Sequence, residues 1–312
     1  MGLRNFLFGW QSLGIRRSDL VLEVGGGNRP MARSDVLCDL GEFGEAARYG
    51  GSMPTATVVD RPFVYADAHC LPFRDRAFDF LVSAHMLEHL TNPAGFLEEA
   101  RRVAPRGCII TPSETFEKLF AERTHHWYVS ADGRHLTLRA KSDGDRGCFG
   151  RTFQRVWEES RELRGLIWGR SDLFETHYRY ADGAMSYSIE GIARETPAPD
   201  ADEIEEQLDA RALHVASRVR SLLGKGVRAL ASGRHADMMS LLTCVVCREP
   251  IDQLASGELR CGGCKRMYPR APDGSPVMLE LAAYFDSGQT WAYVRRIRAG
   301  EGKNVHGSQK PT

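Results

Sequence analysis

The sequence predicts an α/β fold: a mostly parallel sheet with a glycine bend after its first strand, followed by a small module held by four cysteines. Three observations predict it. Short apolar runs alternate with loops and a helical segment, the pattern of a parallel sheet with right-handed crossovers. The first run, residues 20–24, ends in Gly25-Gly26-Gly27. Near the C-terminus, Cys244 and Cys247 form one tight pair, and Cys261 and Cys264 form another.

The elements follow in order. Residues 20–24 (LVLEV) read as a buried strand, because a strand covered on both faces is continuously apolar. Residues 35–39 (DVLCD) read as a second strand and residues 63–67 (FVYAD) as a third, each ending in an acid. A fourth covers 78–83 (FDFLVS), with Asp79 placed to cap or orient it. Residues 94–103 have helical spacing, with Phe96, Leu97, Ala100 and Val103 on one face. Arg106-Gly107 then turns the chain into a fifth strand, residues 108–111, stopped by Pro112. Residues 126–140 carry Asp132-Gly133 between two β-rich runs, a hairpin expected to close the far edge of the sheet. Residues 151–190 are less regular, with Trp157 and Trp168 in a helical stretch.

The expected organisation is a nucleotide-binding-type α/β domain over 1–190, with a short helix at Met1 to Ile15. An acidic, helical linker covers 191–240, a four-cysteine ribbon 241–285, and a partly disordered tail 286–312. The formal net charge is zero, so the bulk attraction of a basic domain for phosphate is missing, and nucleic acid is not favoured as a partner. No stretch approaches the roughly 20 apolar residues that span a bilayer. Cys38, Cys70, Cys108 and Cys148 are scattered singly and no signal peptide is evident, so the expected compartment is the reducing cytoplasm.

Ligands of parallel sheets sit beyond the carboxyl ends of the strands. The three glycines, Asp39, Asp67 and the Ser83-Ala84-His85 turn all fall at such ends. Glycines after a buried strand permit a tight turn and close approach of a ligand to backbone N–H groups. Only about a dozen residues separate Gly27 from Asp39, so the first crossover is a loop or a single turn rather than a helix, and Asp35 competes with Asp39 as the ligand-binding acid.

Residues 66–112 closely resemble the class I S-adenosylmethionine-dependent methyltransferases, the type 11 group in particular. The matching marks are Asp67-Ala68, Leu71-Pro72-Phe73, Phe78-Asp79, Leu87-Glu88-His89, Pro93 at a helix start, and Arg102-Val103 running to Gly107. The resemblance covers about residues 20–140 and implies a Rossmann-like methyltransferase sheet. It further implies that Glu23, Gly25, Gly26 and Gly27 line the methionine end of S-adenosylmethionine. Asp39 would take the ribose hydroxyls, Asp67 and Ala68 the adenine edge, and Ser83 to His85 would border the reacting methyl. Glu88 and His89 are expected to anchor a helix start, and Leu71-Pro72-Phe73 to form a turn and a packing contact.

Methyl transfer from a sulfonium needs positioning more than acid–base groups, and a base only where the acceptor must lose a proton. His85 is the first base candidate. His125 and His126 are the second, with one of them expected to face the substrate. A metal held by that adjacent pair is not expected, since neighbours on a strand point to opposite faces.

Thirteen residues separate the two CxxC pairs, the spacing of a ribbon whose four thiolates, Cys244, Cys247, Cys261 and Cys264, supply the tetrahedral sulfur shell zinc prefers. A closed shell makes that zinc structural. Met267-Tyr268-Pro269 and the segment 273–279 resemble the small zinc-ribbon activators of tRNA and protein methyltransferases, which implies docking on the chain's own catalytic domain or on the substrate. The first functional expectation is a methyltransferase for a small molecule or glycan. An RNA or protein methyltransferase using the ribbon for recognition, with Arg151, Arg155, Arg161, Arg164 and Trp157 as a surface, is the alternative. A non-catalytic scaffold that keeps the fold is the third.

Overall fold

A computed structural model describes residues 9–27, 30–40, 59–120, 122, 124–142, 153, 156, 159–193, 225–226, 237–271 and 273–279. Asn28, Arg29, Arg151, Arg155, Trp157, nearly all of the expected linker and the tail lie outside them.

The strands are β1 (Val21–Val24), β2 (Val36–Asp39), β3 (Phe63–Tyr65), β4 (Phe80–Ala84), β5 (Gly107–Pro112), β6 (Trp127–Asp132), β7 (His135–Ala140), β8 (Glu175–Tyr180) and β9 (Ser186–Glu190). The main sheet has the order β3-β2-β1-β4-β5-β8. Its first five strands are parallel and β8 is antiparallel to β5. Almost every residue of β1 to β5 is buried because both faces are covered. On one face lie Phe96, Leu97, Ala100 and Val103 of helix α1 (Pro93–Val103). This helix starts where Asn92 accepts a bond from the Gly95 N–H at 3.2 Å, with proline at its first position. On the other face Trp10, Leu13 and Ile15 pack against Val21, Phe80, Val82, Cys108 and Ile110. The expected N-terminal helix is thus, in its described part, a single 3-10 turn (Gly9–Leu13).

The crossover from β1 to β2 is a loop, tied by charge instead of by a helix. Arg33, fully buried, donates to the Asp35 carboxylate at 2.8 Å and to the carbonyls of Arg16, Arg17 and Asp19. Glu23 accepts from the Met31 N–H at 2.8 Å and from the Ser34 hydroxyl at 2.6 Å. Arg61 donates to the Met31 and Ser34 carbonyls. Asp79 accepts from the Leu20 N–H at 2.8 Å, which aligns the entries to β1 and β4.

The hairpin β6–β7 forms as its turn residues predict, but it does not close the main sheet. It builds a separate three-stranded sheet, order β6-β7-β9, in which β7 and β9 are parallel. The far edge is closed by β8, from a stretch that reads as helical in sequence; helices α3 (Arg161–Gly169) and α4 (Ser171–Phe174) occupy only its first part, after α2 (Glu114–Phe120). Gly107 explains the fit. It pairs with Tyr180, and the Tyr180 ring lies where a side chain at 107 would be, with its hydroxyl donating to the Ala100 carbonyl at 3.1 Å.

The C-terminal module contains helix α5 (Met238–Leu241) and the strands β10 (Ile251–Gln253), β11 (Leu259–Cys261) and β12 (Met267–Tyr268). It is not an appended bead. The Tyr65 N–H donates to the Pro276 carbonyl at 2.9 Å, and the Met278 N–H to the Tyr65 carbonyl at 2.8 Å, so residues 276–278 extend the main sheet beyond β3. Thr243 and Arg74 exchange backbone bonds with Pro72 and Leu241 across a second bridge. Arg248 donates to the Leu71 carbonyl at 2.8 Å and to Glu99 at 3.0 Å. Leu71-Pro72-Phe73 is therefore the platform on which the module sits. Leu241, Leu242, Val277 and Met278 join the same hydrophobic core as Tyr65 and Phe73.

Replacing Gly107 by alanine places a Cβ about 2.5 Å from the Tyr180 ring. The ring must move and its buried hydroxyl lose the Ala100 carbonyl. The expected loss of stability is about 1–3 kcal/mol, read from urea unfolding; a midpoint equal to wild type would show that β8 does not dock through this contact.

Candidate functional site

The site grows from the carboxyl ends of the parallel strands. After β1 the chain turns at Gly25 (φ +79°) and Gly27 (φ +52°), and the Gly25 N–H donates to the Cys38 carbonyl at 2.9 Å. A Cβ on Gly25 would lie 2.8 Å from the Met86 side chain, so glycine is required both by φ and by space. That contact brings the β1 bend against the turn that follows β4.

Asp39, at the end of β2, accepts from the Gly27 N–H at 2.9 Å. Asp35 stands at the opposite, entry end of β2, where it accepts from the Val21 N–H and from Arg33. It is spent on the crossover, which removes it as the competing acid. Glu23 is also engaged: burial raises its pKa, and the Ser34 hydroxyl and the Met31 N–H hold its oxygens. It shapes the loop behind the glycines.

Beyond β3, Asp67 receives both the His69 N–H (2.8 Å) and the His69 ring Nδ1 (2.7 Å) on one oxygen. Burial opposes its charge, but these bonds bring its pKa below the usual carboxylate range. His69 is raised in turn, first by its bond to Asp67. Half of the Asp67 side chain remains exposed, and Ala68 next to it is buried.

At the end of β4, Ser83 is fully buried, with no hydrogen-bond partner for its hydroxyl. His85 has a left-handed backbone (φ +55°) that turns its half-exposed ring between two acids: Nδ1 lies 3.7 Å from Glu88 and Nε2 3.6 Å from Glu175. Burial works against the imidazolium, but Glu175 and Glu88 outweigh it and push the pKa up to about 10. Glu175 is drawn down to about 2, against burial, by His177 and His85. The His85 ring is thus held as an imidazolium between two carboxylates.

Glu88 lies on a 3-10 turn (Leu87–His89) that has no side-chain cap. It does not anchor the helix start as its sequence context suggests. The carboxylate is buried at 1% exposure, and neither oxygen has a hydrogen-bond partner. Burial opposes its charge, but His85, His125 and His89 bring its pKa down to about 2. His125 and His126 are both buried. His125 holds Glu117 through Nδ1 at 2.5 Å and turns Nε2 toward Glu88 at 4.0 Å. His126 lies outside that group. Glu117, Glu175 and His177, which sequence reasoning missed, complete this charged wall, and Lys141 pairs with Glu117. Nothing in their local sequence marks them; only the strand β8 and the helix α2 carry them to the end of β5.

A cavity of about 350 Å³ opens beyond β5, lined among others by Ser113, Glu114, Ser130, Asp172, Glu175 and His177. Glu175 is common to the cavity and to the His85 contact.

The four ribbon cysteines also converge. Cys244 and Cys264 sulfurs are 3.6 Å apart, Cys247 and Cys261 sulfurs 3.3 Å, and all four lie within 4.8 Å of one another. Tetrahedral thiolates on zinc would be roughly 3.8 Å apart, so the donor set fits that ion. A Cβ on Gly263 would meet Glu249 at 2.6 Å, which accounts for glycine in the second knuckle.

Residues 48–111 match the family described as a methyltransferase domain. No curated protein matches the chain. Among solved structures, the chain is similar to the BH2331 protein of Bacillus halodurans, at 21% identity over 38% of this chain and 59% of that one (TM-score 0.29). It is similar to a structure from the complex containing the Haloferax volcanii Trm112 methyltransferase activator, at 17% identity over 42% and 71% (TM-score 0.26). It is also similar to a SAM-dependent methyltransferase from Aquifex aeolicus, at 22% identity over 36% and 68% (TM-score 0.24). The chain spans about three-fifths of the length of the first of these. The family match supports methyl transfer as the chemistry of the N-terminal sheet.

In Asp67→Asn protein the His69 ring loses the partner that raises it. Its titration midpoint, followed by NMR, is expected to fall toward that of an ordinary histidine. An unmoved midpoint would show that the pair does not form in solution.

Proposed function

We propose that this chain is an S-adenosylmethionine-dependent methyltransferase for a small-molecule or glycan acceptor, with a zinc-loaded ribbon acting as an activator built into the same chain. The observation that carries the reading is the junction of the glycine bend with Asp39: the Gly27 N–H and the Asp39 carboxylate meet at 2.9 Å, where two neighbouring parallel strands end.

The bound sulfonium would supply an electrophilic methyl group whose departure leaves a neutral thioether. The protein's part is to hold and to desolvate. Gly25, Gly26 and Gly27 leave room for the methionine end, and Glu23 fixes the loop behind them. Asp39 offers an acceptor to ribose hydroxyls. Asp67, held by His69 through one oxygen, offers the other to the adenine amino group beside Ala68. Ser83, buried beneath the turn, sets the path of the chain into His85. The cavity past β5 would take the acceptor, with Glu175 and His177 on its wall. Of His125 and His126, His125 is the one tied to the charged wall, through Glu117 and Glu88.

Zinc would close the shell of Cys244, Cys247, Cys261 and Cys264, leaving no position for substrate. Its role is to hold residues 237–279 in the shape that caps β3. The support for activation in cis is geometric: the bridge from Tyr65 to residues 276–278 lies two residues from Asp67.

Two outcomes test this. Calorimetry should detect S-adenosylmethionine or its demethylated product binding the purified chain, and Gly25→Ala should weaken that binding at least about tenfold, since the strained φ and the Met86 clash both disturb the bend. A folded chain with no affinity for either molecule ends the proposal. Stripping zinc with a chelator should release about one zinc per chain, loosen hydrogen-exchange protection across residues 237–279 and at Tyr65, and lower cofactor affinity. Unchanged affinity after complete zinc loss would remove the ribbon's activating role while leaving the methyl-transfer reading intact.

A further inference from the structure

We propose a second metal site, formed by Glu88, His89 and His125 at the end of β4, that takes a divalent first-row transition-metal cation. One donor atom from each of these residues lies within 4.8 Å of the others. Tetrahedral ligands at about 2.1 Å from a metal stand roughly 3.4 Å apart, so the 4.0 Å between Glu88 Oε1 and His125 Nε2 would close by about 0.6 Å on binding.

The carboxylate demands such a partner. Glu88 is buried, carries both oxygens without a hydrogen bond, and faces imidazole nitrogens from several directions at distances too long to bond. Its imidazole contacts, 3.7 Å to His85 and 4.0 Å to His125, are ion pairs without a hydrogen bond, and a buried carboxylate gains from a ligand that bonds it directly. The His125 ring is oriented as a ligand is. Glu117 engages Nδ1 of His125, which directs Nε2 at Glu88; a carboxylate behind a ligating histidine fixes tautomer and orientation in metal sites. The Nδ1 of His89 faces the Thr124 carbonyl at 3.2 Å, and because a carbonyl only accepts, Nδ1 carries the proton and Nε2 the lone pair. The two rings meet edge to face, 4.5 Å between centroids.

Two imidazoles and one carboxylate favour a transition metal over magnesium or calcium, which prefer all-oxygen shells. Three protein donors leave positions open, unlike the ribbon. If the methyl-transfer reading holds, on which this one extension rests, an acceptor hydroxyl could fill an open position and lose its proton to solvent more readily.

The test uses the full chain with its ribbon zinc-loaded, titrated with Co2+ alone and followed by visible absorption, with S-adenosylmethionine binding measured on the same sample. The expected result is one Co2+ per chain, with ligand-field bands and no thiolate-to-cobalt charge transfer. Affinity should fall at least about tenfold in Glu88→Gln and in His89→Ala, and by about 10–100-fold in Glu117→Gln. His89 is only half-buried, so its variant keeps the test readable if Glu88→Gln fails to fold. Wild-type protein that takes up no Co2+, uptake showing only the thiolate signature, or folded variants binding as tightly as wild type would each overturn the site. Cofactor binding without Co2+ uptake sinks the metal alone; Co2+ uptake without cofactor binding sinks the methyl-transfer reading alone.

Discussion

The structure depends on buried charge holding a crossover that is too short for a helix. β1 and β2 are parallel neighbours, yet a loop alone connects them. Arg33 substitutes for the missing helix by binding Asp35 and three carbonyls at once, and Glu23 and Arg61 secure the same loop from the other side. Breaking one member would strand a buried charge, a loss of about 3–5 kcal/mol in comparable cases. The glycine bend inherits its shape from this network, because Glu23 touches the space beside Gly26 and Asp39 receives the Gly27 N–H. The described part of the loop is thus anchored by charge and hydrogen bonds.

The two edges of the main sheet are finished by different means. At one, β8 lays Tyr180 over Gly107 and carries Glu175 to His85. At the other, the ribbon adds its own chain beyond β3 and presses Arg248 onto Glu99, which also holds Arg102 and the Leu71 N–H. Each closing element thereby positions a polar group at the carboxyl ends of the strands: β8 the charged wall past β5, the C-terminal module the segment leading to Asp67. Edge protection and site construction are performed by the same residues.

What the sequence made legible follows from range. The five parallel strands are each a contiguous apolar run, and helix α1 carries its own cap and spacing, so local pattern suffices. The four cysteines announce themselves by spacing. The acids at strand ends could be placed because a parallel sheet fixes which end is open. Sequence reading failed where partners are distant. The Asp132-Gly133 hairpin is a strong local signal, but which sheet it joins depends on the absence of a side chain at Gly107 and the fit of Tyr180, 73 residues apart. The T-H-Y-R-Y run of β8 does alternate, but the strand follows directly on helix α4 with no turn residue between them. Glu88 looked like a helix anchor because its neighbours in sequence suit one; its isolation among histidines arises from residues 37 and 38 positions away being folded back, with the His126 N–H bonded to the Glu88 carbonyl.

Covalent continuity between the ribbon and the sheet it completes changes how their association responds to conditions. Two separate chains meeting over so few backbone bonds would separate on dilution, and each would compete for other partners. Joined in one chain, they meet at an effective concentration set by the connecting segment and indifferent to expression level. Coverage of the β3 edge is then a property of the single chain.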